Sequence, residues 1–190
     1  MQTSVATYYL QMDSPPARRS TPRKGLEVSQ ASVPAPELNH FFFTTVGRPW
    51  KWYSRLDWTY DTWTSYVSDP RTLTYIAYQE GTPVGYLELN EQAEENIEIA
   101  FYGLLPRFLG NGLGRAFLSR AIQIAWDRTP KRVWVHTCSL DHPAALPNYL
   151  ARGFRIYREE TKLTTIPEDD DPLWRTPRFY EERIFPGQLK

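Results

Sequence analysis

Apolar and polar positions change period several times along this chain, and each change marks an element. Leu113, Phe117, Ala121, Ile124 and Ala125 fall on one stripe, with Arg115, Arg120 and Asp127 off it, which is the period of an amphipathic helix. Pro130 ends that pattern. Upstream, Ile97, Ile99 and Phe101 alternate with Glu98, Ala100 and Tyr102 as a strand does. Leu73–Tyr78 and Val84–Leu89 alternate on either side of Glu80-Gly81-Thr82 and predict a hairpin. Val133–Cys138 is apolar and β-branched enough for a central strand. Ala144–Arg152 reads as a short helix closed by Gly153, and Phe154–Thr164 as a strand.

The ends are less regular. Thr7–Met12 predicts a short strand, and residues 13–36, rich in Pro and Ser, a long loop whose Arg18, Arg19, Arg23 and Lys24 form a solvated face. Structureless loops of that length are uncommon inside compact domains, so a strand at Leu26–Ser29 is admitted. Glu37–Val46 and Thr59–Val67 are helices bounded by Pro49 and Pro70. Residues 166–190 form an irregular tail with a late strand at Arg178–Phe185. The acidic run Glu168-Asp169-Asp170-Asp171 is solvated rather than metal-binding, because adjacent carboxylates repel and lack an organised ligand spacing. The order β-α-α-β-β-β-α-β-α-β suits an α/β class, with a mixed sheet flanked by helices.

With 190 residues the chain suits one domain, and 41% hydrophobic residues supply a core. The 22 basic and 22 acidic side chains cancel, so neither nucleic acid nor an anionic membrane is indicated as a partner. Cys138 is the single cysteine, which excludes an intramolecular disulfide and makes the cytoplasm the default. No stretch approaches the apolar length of a membrane span.

Candidate chemistry concentrates in Leu104-Leu105-Pro106-Arg107-Phe108-Leu109-Gly110-Asn111-Gly112-Leu113-Gly114-Arg115, a glycine-rich turn between a strand and the clearest helix. Glycines let the backbone approach a ligand, and the helix start offers unpaired N–H groups and a positive dipole to an anion. No Lys-Ser or Lys-Thr follows, which excludes a P-loop, and the spacing is not that of a dinucleotide fingerprint.

Together with Asn148-Tyr149-Leu150-Ala151-Arg152-Gly153-Phe154, the loop resembles the GNAT superfamily of acyl-CoA-dependent N-acyltransferases, most specifically over Pro83 to Phe154. The resemblance implies a mixed, mostly antiparallel sheet of about six to seven strands, flanked by helices, with splayed central strands. It implies acetyl-CoA as co-substrate, its pyrophosphate on Leu109, Gly110, Asn111, Gly112, Leu113, Gly114 and Arg115. Leu109 stands where the family has Arg or Gln, and Arg107 offers an alternative register. Backbone N–H groups at Tyr102 to Leu104 would polarise the carbonyl, with Leu105 beside them, and His142, at a usual asparagine position, would contact the cofactor arm.

Acyl transfer needs a neutral amine and a proton for the departing thiolate. The resemblance makes Tyr149 the acid. Glu98, eleven positions before Leu109, would be the base, with Glu88 in reserve. Trp50, Trp52 and Tyr53, following Pro49, fall where the family builds its acceptor pocket and would suit an acceptor with apolar bulk or a cationic amine. The acceptor is a small-molecule, peptide or protein amine, and pairing of two copies is left open. His136, Cys138 and His142 lack a fourth ligand at useful spacing, so no metal is expected. The competing classes are a CoA-binding sensor without turnover and an unrelated α/β protein holding another phosphate.

Overall fold

The computed structural model describes residues 2–17, 23–168, Asp171 and Trp174. The expected strand at Arg178–Phe185 lies outside the described residues, as do Arg18, Arg19, Asp169 and Asp170. In chain order the elements are β1 (Gln2–Met12), β2 (Leu26–Gln30), α1 (Pro36–Gly47), α2 (Tyr60–Val67), β3 (Thr72–Gln79), β4 (Thr82–Gln92), β5 (Asn96–Leu104), α3 (Leu113–Trp126), β6 (Arg132–Cys138), α4 (Ala145–Leu150) and β7 (Arg155–Thr165).

One feature corrects the sequence reading: β1 begins at Gln2 rather than Thr7. The strand admitted at Leu26–Ser29 is present as β2, which pairs with the edge of β3 after a left-handed turn at Gly25. The seven strands form one sheet in the order β2-β3-β4-β5-β6-β1-β7. Only β5 and β6 run parallel, joined by α3 as the crossover helix, and the other pairs are antiparallel. The N-terminal strand thus lies between β6 and β7 and seals the sheet there.

Strand alternation sends apolar residues to both faces. On one face, Phe117, Leu118, Ala121 and Ile122 of α3 pack on Leu87, Leu89, Ile97, Ile99, Val133 and Val135. On the other, Phe42, Phe43 and Val46 of α1 and Trp63 of α2 pack on Ile76 and Tyr86. A bulge in β5 changes its facing: Leu89 pairs with Ile99 but Glu88 with Phe101, so Ala100 is skipped. Phe101 consequently turns to the α1 face, its ring edge-on to Phe43 and Trp52 at 5.2 and 4.9 Å. Among the described residues no helix is long and apolar enough to cross a membrane.

Candidate active site

A cleft opens where a ladder ends. β5 and β6 pair from Asn96↔Arg132 to Ile99↔Val135, after which β5 continues along β4 to Leu104 and β6 along β1 to Cys138. Past Ile99 the edge of β5 therefore faces a gap, and its peptide groups are open to a ligand. A cleft of about 950 Å³ occupies this gap. Leu109, Gly110, Gly112, Gly114, Tyr149 and Arg152 line its α3 side, and Trp50, Trp52, Tyr53, Phe101, His136 and Cys138 its α1 side.

The α3 wall is an anion cradle made of backbone. Gly110 and Gly112 adopt φ of +87° and +70°, which side-chain-bearing residues rarely take. Gly112 begins α3 without a side-chain cap, and the amides of Leu113, Gly114 and Arg115 meet no acceptor among the described residues. They are ready for an anion. Tyr102 braces the turn from below, its hydroxyl donating to the Gly114 carbonyl and its ring 5.1 Å from that of Phe117. Arg115 and Arg152 stand at the rim; burial and the neighbouring Arg115 both pull the Arg152 pKa below its ordinary value, a strain that a phosphate would relieve.

Arg23 is exposed, as the reading of its segment as a solvated face expects, but it also makes a specific contact. Its Nη1 donates to the Asn111 carbonyl at 2.7 Å, which brings a cation to the glycine loop from β2's side of the sheet.

Most of the predicted cofactor residues line the cleft: Tyr102, Leu104, Leu109, Gly110, Gly112, Gly114, Arg115 and His142. Leu105 does not, because its N–H is taken by the Val84 carbonyl at 2.8 Å and its side chain packs toward α1 and α2. The Leu113 side chain is core, and the Asn111 carbonyl is turned to Arg23. Arg107 is exposed on the short 3-10 turn at Pro106–Phe108 and is outside the lining. His142 lines the cleft, with Nδ1 accepting from the Ala144 amide and its ring centroid 4.8 Å from that of Trp50.

Tyr149, on α4, is held edge-on against Phe154 at 5.8 Å and is only 6% exposed. Burial, with the Asp141 carboxylate and Tyr102 nearby, pushes its pKa well above the ordinary phenol value. It is a neutral O–H group that can donate a proton.

The α1 wall is a strap of side chains. After α1 the chain turns through a 3-10 step at Arg48–Trp50 and a left-handed Lys51, so that Trp52 folds back on Gly47, where a Cβ would collide with it. Trp52 Nε1 donates to Asp141 Oδ1 at 3.1 Å; Asp141 Oδ2 in turn accepts from Thr137 Oγ1 and the Cys138 amide. Trp50, Trp52 and Tyr53 all line the cleft, though Trp52 is also packed between Phe43 and Phe101. Burial, foremost, raises the Tyr53 pKa, and it also raises that of Cys138 with help from Asp141. The thiol is therefore protonated and poorly suited to act as a nucleophile. Among the described residues no three His, Cys, Asp or Glu side chains gather as metal ligands.

The two carboxylates singled out by sequence differ. Glu88 is fully buried, its oxygens taken by Arg55 at 2.9 Å, Tyr66 at 2.9 Å and Asn39 at 2.9 Å, and it is outside the cleft lining. Arg55 is itself enclosed by the rings of Trp58, Tyr66 and Phe101 at 4.6, 4.1 and 4.3 Å. Glu88 is thus committed to an ion pair away from the cleft. Glu98 does not line the cleft either; its Oε2 accepts from Gln92 at 2.8 Å and its Oε1 stands 3.5 Å from Nδ1 of His136, which does.

Arg23, Asp141, Arg152 and His136 stand at or beside the cleft without having been singled out for it from sequence. Asp141 left a signal, as a turn-forming residue shortly after a strand, whereas the others are placed by long-range pairing.

Comparison with known proteins agrees with this geometry. Residues 36–154 match the model of the acetyltransferase (GNAT) family. Among curated proteins, an uncharacterized N-acetyltransferase of Mycobacterium tuberculosis is 29% identical over 106 residues, which is 55% of this chain and 67% of that protein. The fold is similar to a GCN5-related N-acetyltransferase of Sphaerobacter thermophilus, with a TM-score of 0.61, 19% identity and 87% of this chain covered. This chain spans 54% of that one. A GNAT family acetyltransferase of Elizabethkingia anophelis with acetyl-CoA bound has a TM-score of 0.52 at 18% identity, covering 72% of this chain and 80% of its own. The matched segment holds the splay, the glycine loop and Tyr149, and the chain belongs to the acetyltransferase (GNAT) family of acyltransferases.

Proposed function

We propose that this chain transfers the acetyl group of acetyl-CoA to a primary amine, with both substrates held together in the cleft. The observation that carries the reading is the alignment of an empty-handed helix start at Leu113–Arg115, a proton donor at Tyr149 and an unpaired strand edge past Ile99 along one cleft. The residues fit the group: the amides of Leu113 to Arg115, with Arg23, Arg115 and Arg152 around them, would hold the pyrophosphate, and the strand edge would pair with the pantetheine arm as an added strand does. When bound, acetyl-CoA supplies an activated thioester. Backbone N–H groups at Tyr102–Leu104 polarise its carbonyl, and Tyr149 hands its proton to the departing sulfur. Glu98, which does not line the cleft, would serve the neutralisation of the amine through an intervening group. The amine approaches past Trp50, Trp52 and Tyr53, which favours apolar bulk beside the nitrogen. A small-molecule, peptide or protein amine would all satisfy these rings. With one cysteine and no disulfide to form, we place the reaction in the cytoplasm.

A CoA-binding module without turnover is the second reading, favoured by one observation: the Glu98 carboxylate stops short of the cleft. Tyr149→Phe separates the two. Under the acetyltransferase reading this variant keeps its affinity for acetyl-CoA and loses turnover by roughly 10²–10⁴-fold, as when a positioned acid is removed. Thiol release with an amine panel measures turnover and calorimetry measures affinity; an unchanged rate returns Tyr149 to a packing role.

A further inference from the structure

The carboxylate expected to neutralise the amine does not touch the cleft, and the side chain standing between the two is His136. Glu98 and His136 both alternate away from Ile99 and Val135, which belong to the α3-side core, so the two project from the same face of neighbouring parallel strands. His136 is the first residue of β6 beyond the last β5 pair, at the mouth of the splay. Its side chain is 46% exposed and lines the cleft, whereas that of Glu98 is 13% exposed behind it, Oε1 3.5 Å from Nδ1. The carboxylate is itself held in place. Gln92 Nε2 donates to Glu98 Oε2 at 2.8 Å, and Trp134 Nε1 donates to Gln92 Oε1 at 2.9 Å. The Tyr9 and Trp134 rings flank the imidazole, with centroids 6.0 and 6.1 Å away.

We infer that His136 takes the proton from the acceptor amine, and that Glu98 acts through it as the positioning residue. The inference rests on the acetyltransferase reading above. With Nδ1 turned to the carboxylate 3.5 Å away, Nε2 is left for the substrate. The acceptor ammonium gives one proton to Nε2. The neutral nitrogen then forms its bond to the acetyl carbon while the carbon–sulfur bond breaks, its electron pair leaving with sulfur. Tyr149 protonates the sulfur. The second proton lost by nitrogen restores Tyr149 through solvent, and the imidazolium releases its proton to water, so the sum is amide, free thiol and one proton. Tyr9 faces the imidazole from β1, with Arg158 of β7 4.7 Å from the Tyr9 ring, and Cys138 shares its face on β6. Among the described residues Glu98 is the charged group within ion-pair reach of the imidazole.

The test compares two amines, 2-phenylethylamine, which is protonated at neutral pH, and methoxyamine, which is already neutral there. His136→Asn should lower kcat for 2-phenylethylamine by roughly 10²–10⁴-fold and leave the acetyl-CoA KM in place, while methoxyamine, needing no such proton removal, loses far less. Glu98→Gln, which keeps the size of the side chain but removes the carboxylate facing Nδ1, should lower kcat for 2-phenylethylamine more than for methoxyamine and leave the acetyl-CoA KM in place. That selectivity decides the matter even where His136→Asn folds poorly. Equal loss with both amines in either variant overturns the role of His136. A wild-type chain that binds acetyl-CoA but acetylates neither these amines nor any member of a panel of small-molecule, peptide and protein amines overturns instead the acetyltransferase reading on which it rests.

Discussion

The two walls of the cleft are made of different material. On the α3 side the ligand meets backbone: positive-φ glycines, a helix start with free amides, and a strand edge. On the α1 side it meets side chains contributed by the strap after α1, by β5 and by β6, locked together by Trp52–Asp141 and by the buried Arg55–Glu88 pair behind Phe101. A backbone wall recognises what every acyl-CoA shares, its pyrophosphate and amide-bearing arm. A side-chain wall can change shape by substitution without disturbing the cradle, which is why the cofactor follows from the geometry more directly than the acceptor does.

The sharpest break in this comparison is Gly112→Glu. The substitution forces a side chain into a left-handed position at a cost of roughly 1–2 kcal/mol and places a carboxylate at the helix start that should hold the pyrophosphate. Stabilisation of wild type by acetyl-CoA at a hundred times its Kd is about 2.7 kcal/mol, and in the variant it should vanish. Thermal melts with and without acetyl-CoA read this directly. A retained shift would move the anion site away from α3.

The side-chain wall should fail by unfolding rather than by losing the cofactor. Glu88→Ala leaves Arg55 buried without its partner, which typically costs about 3–5 kcal/mol. For a chain of this size that lowers Tm by roughly 2–4 °C per kcal/mol. Acetyl-CoA should still raise Tm of the variant, since Glu88 is outside the cleft. A Tm within about 1 °C of wild type would mean the pair contributes nothing net, as exposed ion pairs often do.

The same contrast explains what could be read from sequence. Elements with a strong period and punctuated ends were legible: the α3 stripe, the hairpin around Gly81, and the glycine loop, whose function is written in residue types that only the backbone geometry requires. The family resemblance then located Tyr149. What could not be read depends on pairing between distant segments. β1 carries little alternation, and nothing local says that it lies between β6 and β7. Glu98 and Glu88 look alike as strand glutamates flanked by apolar residues. Only the partners brought by other elements, His136 for one and Arg55 for the other, separate a residue beside the cleft from one sealed in the core. Trp52 likewise looked free to line a pocket, and does, yet Asp141 and Gly47 make it a structural strut as well.

Arg23 is the case where a side chain joins the backbone wall, and its effect should be the smallest. The segment before β2 looked like solvated charge, but the guanidinium reaches the Asn111 carbonyl and so adds positive potential over the amides of α3. Its surroundings are open, so solvent and salt screen it, and an exposed charge pair of this kind contributes about 0.2–1 kcal/mol. Arg23→Ala should therefore weaken acetyl-CoA binding by up to roughly fivefold at low ionic strength, with most of the difference gone at about 1 M salt, where the screening length is only ~3 Å. Titration calorimetry at two salt concentrations checks this. The comparison ligand is dephospho-CoA, which keeps the pyrophosphate and lacks the phosphate on the ribose. If Arg23 serves the pyrophosphate held at α3, the variant loses the same factor with both ligands; if the loss appears only with the full cofactor, Arg23 instead grips the ribose phosphate at the edge of the cradle.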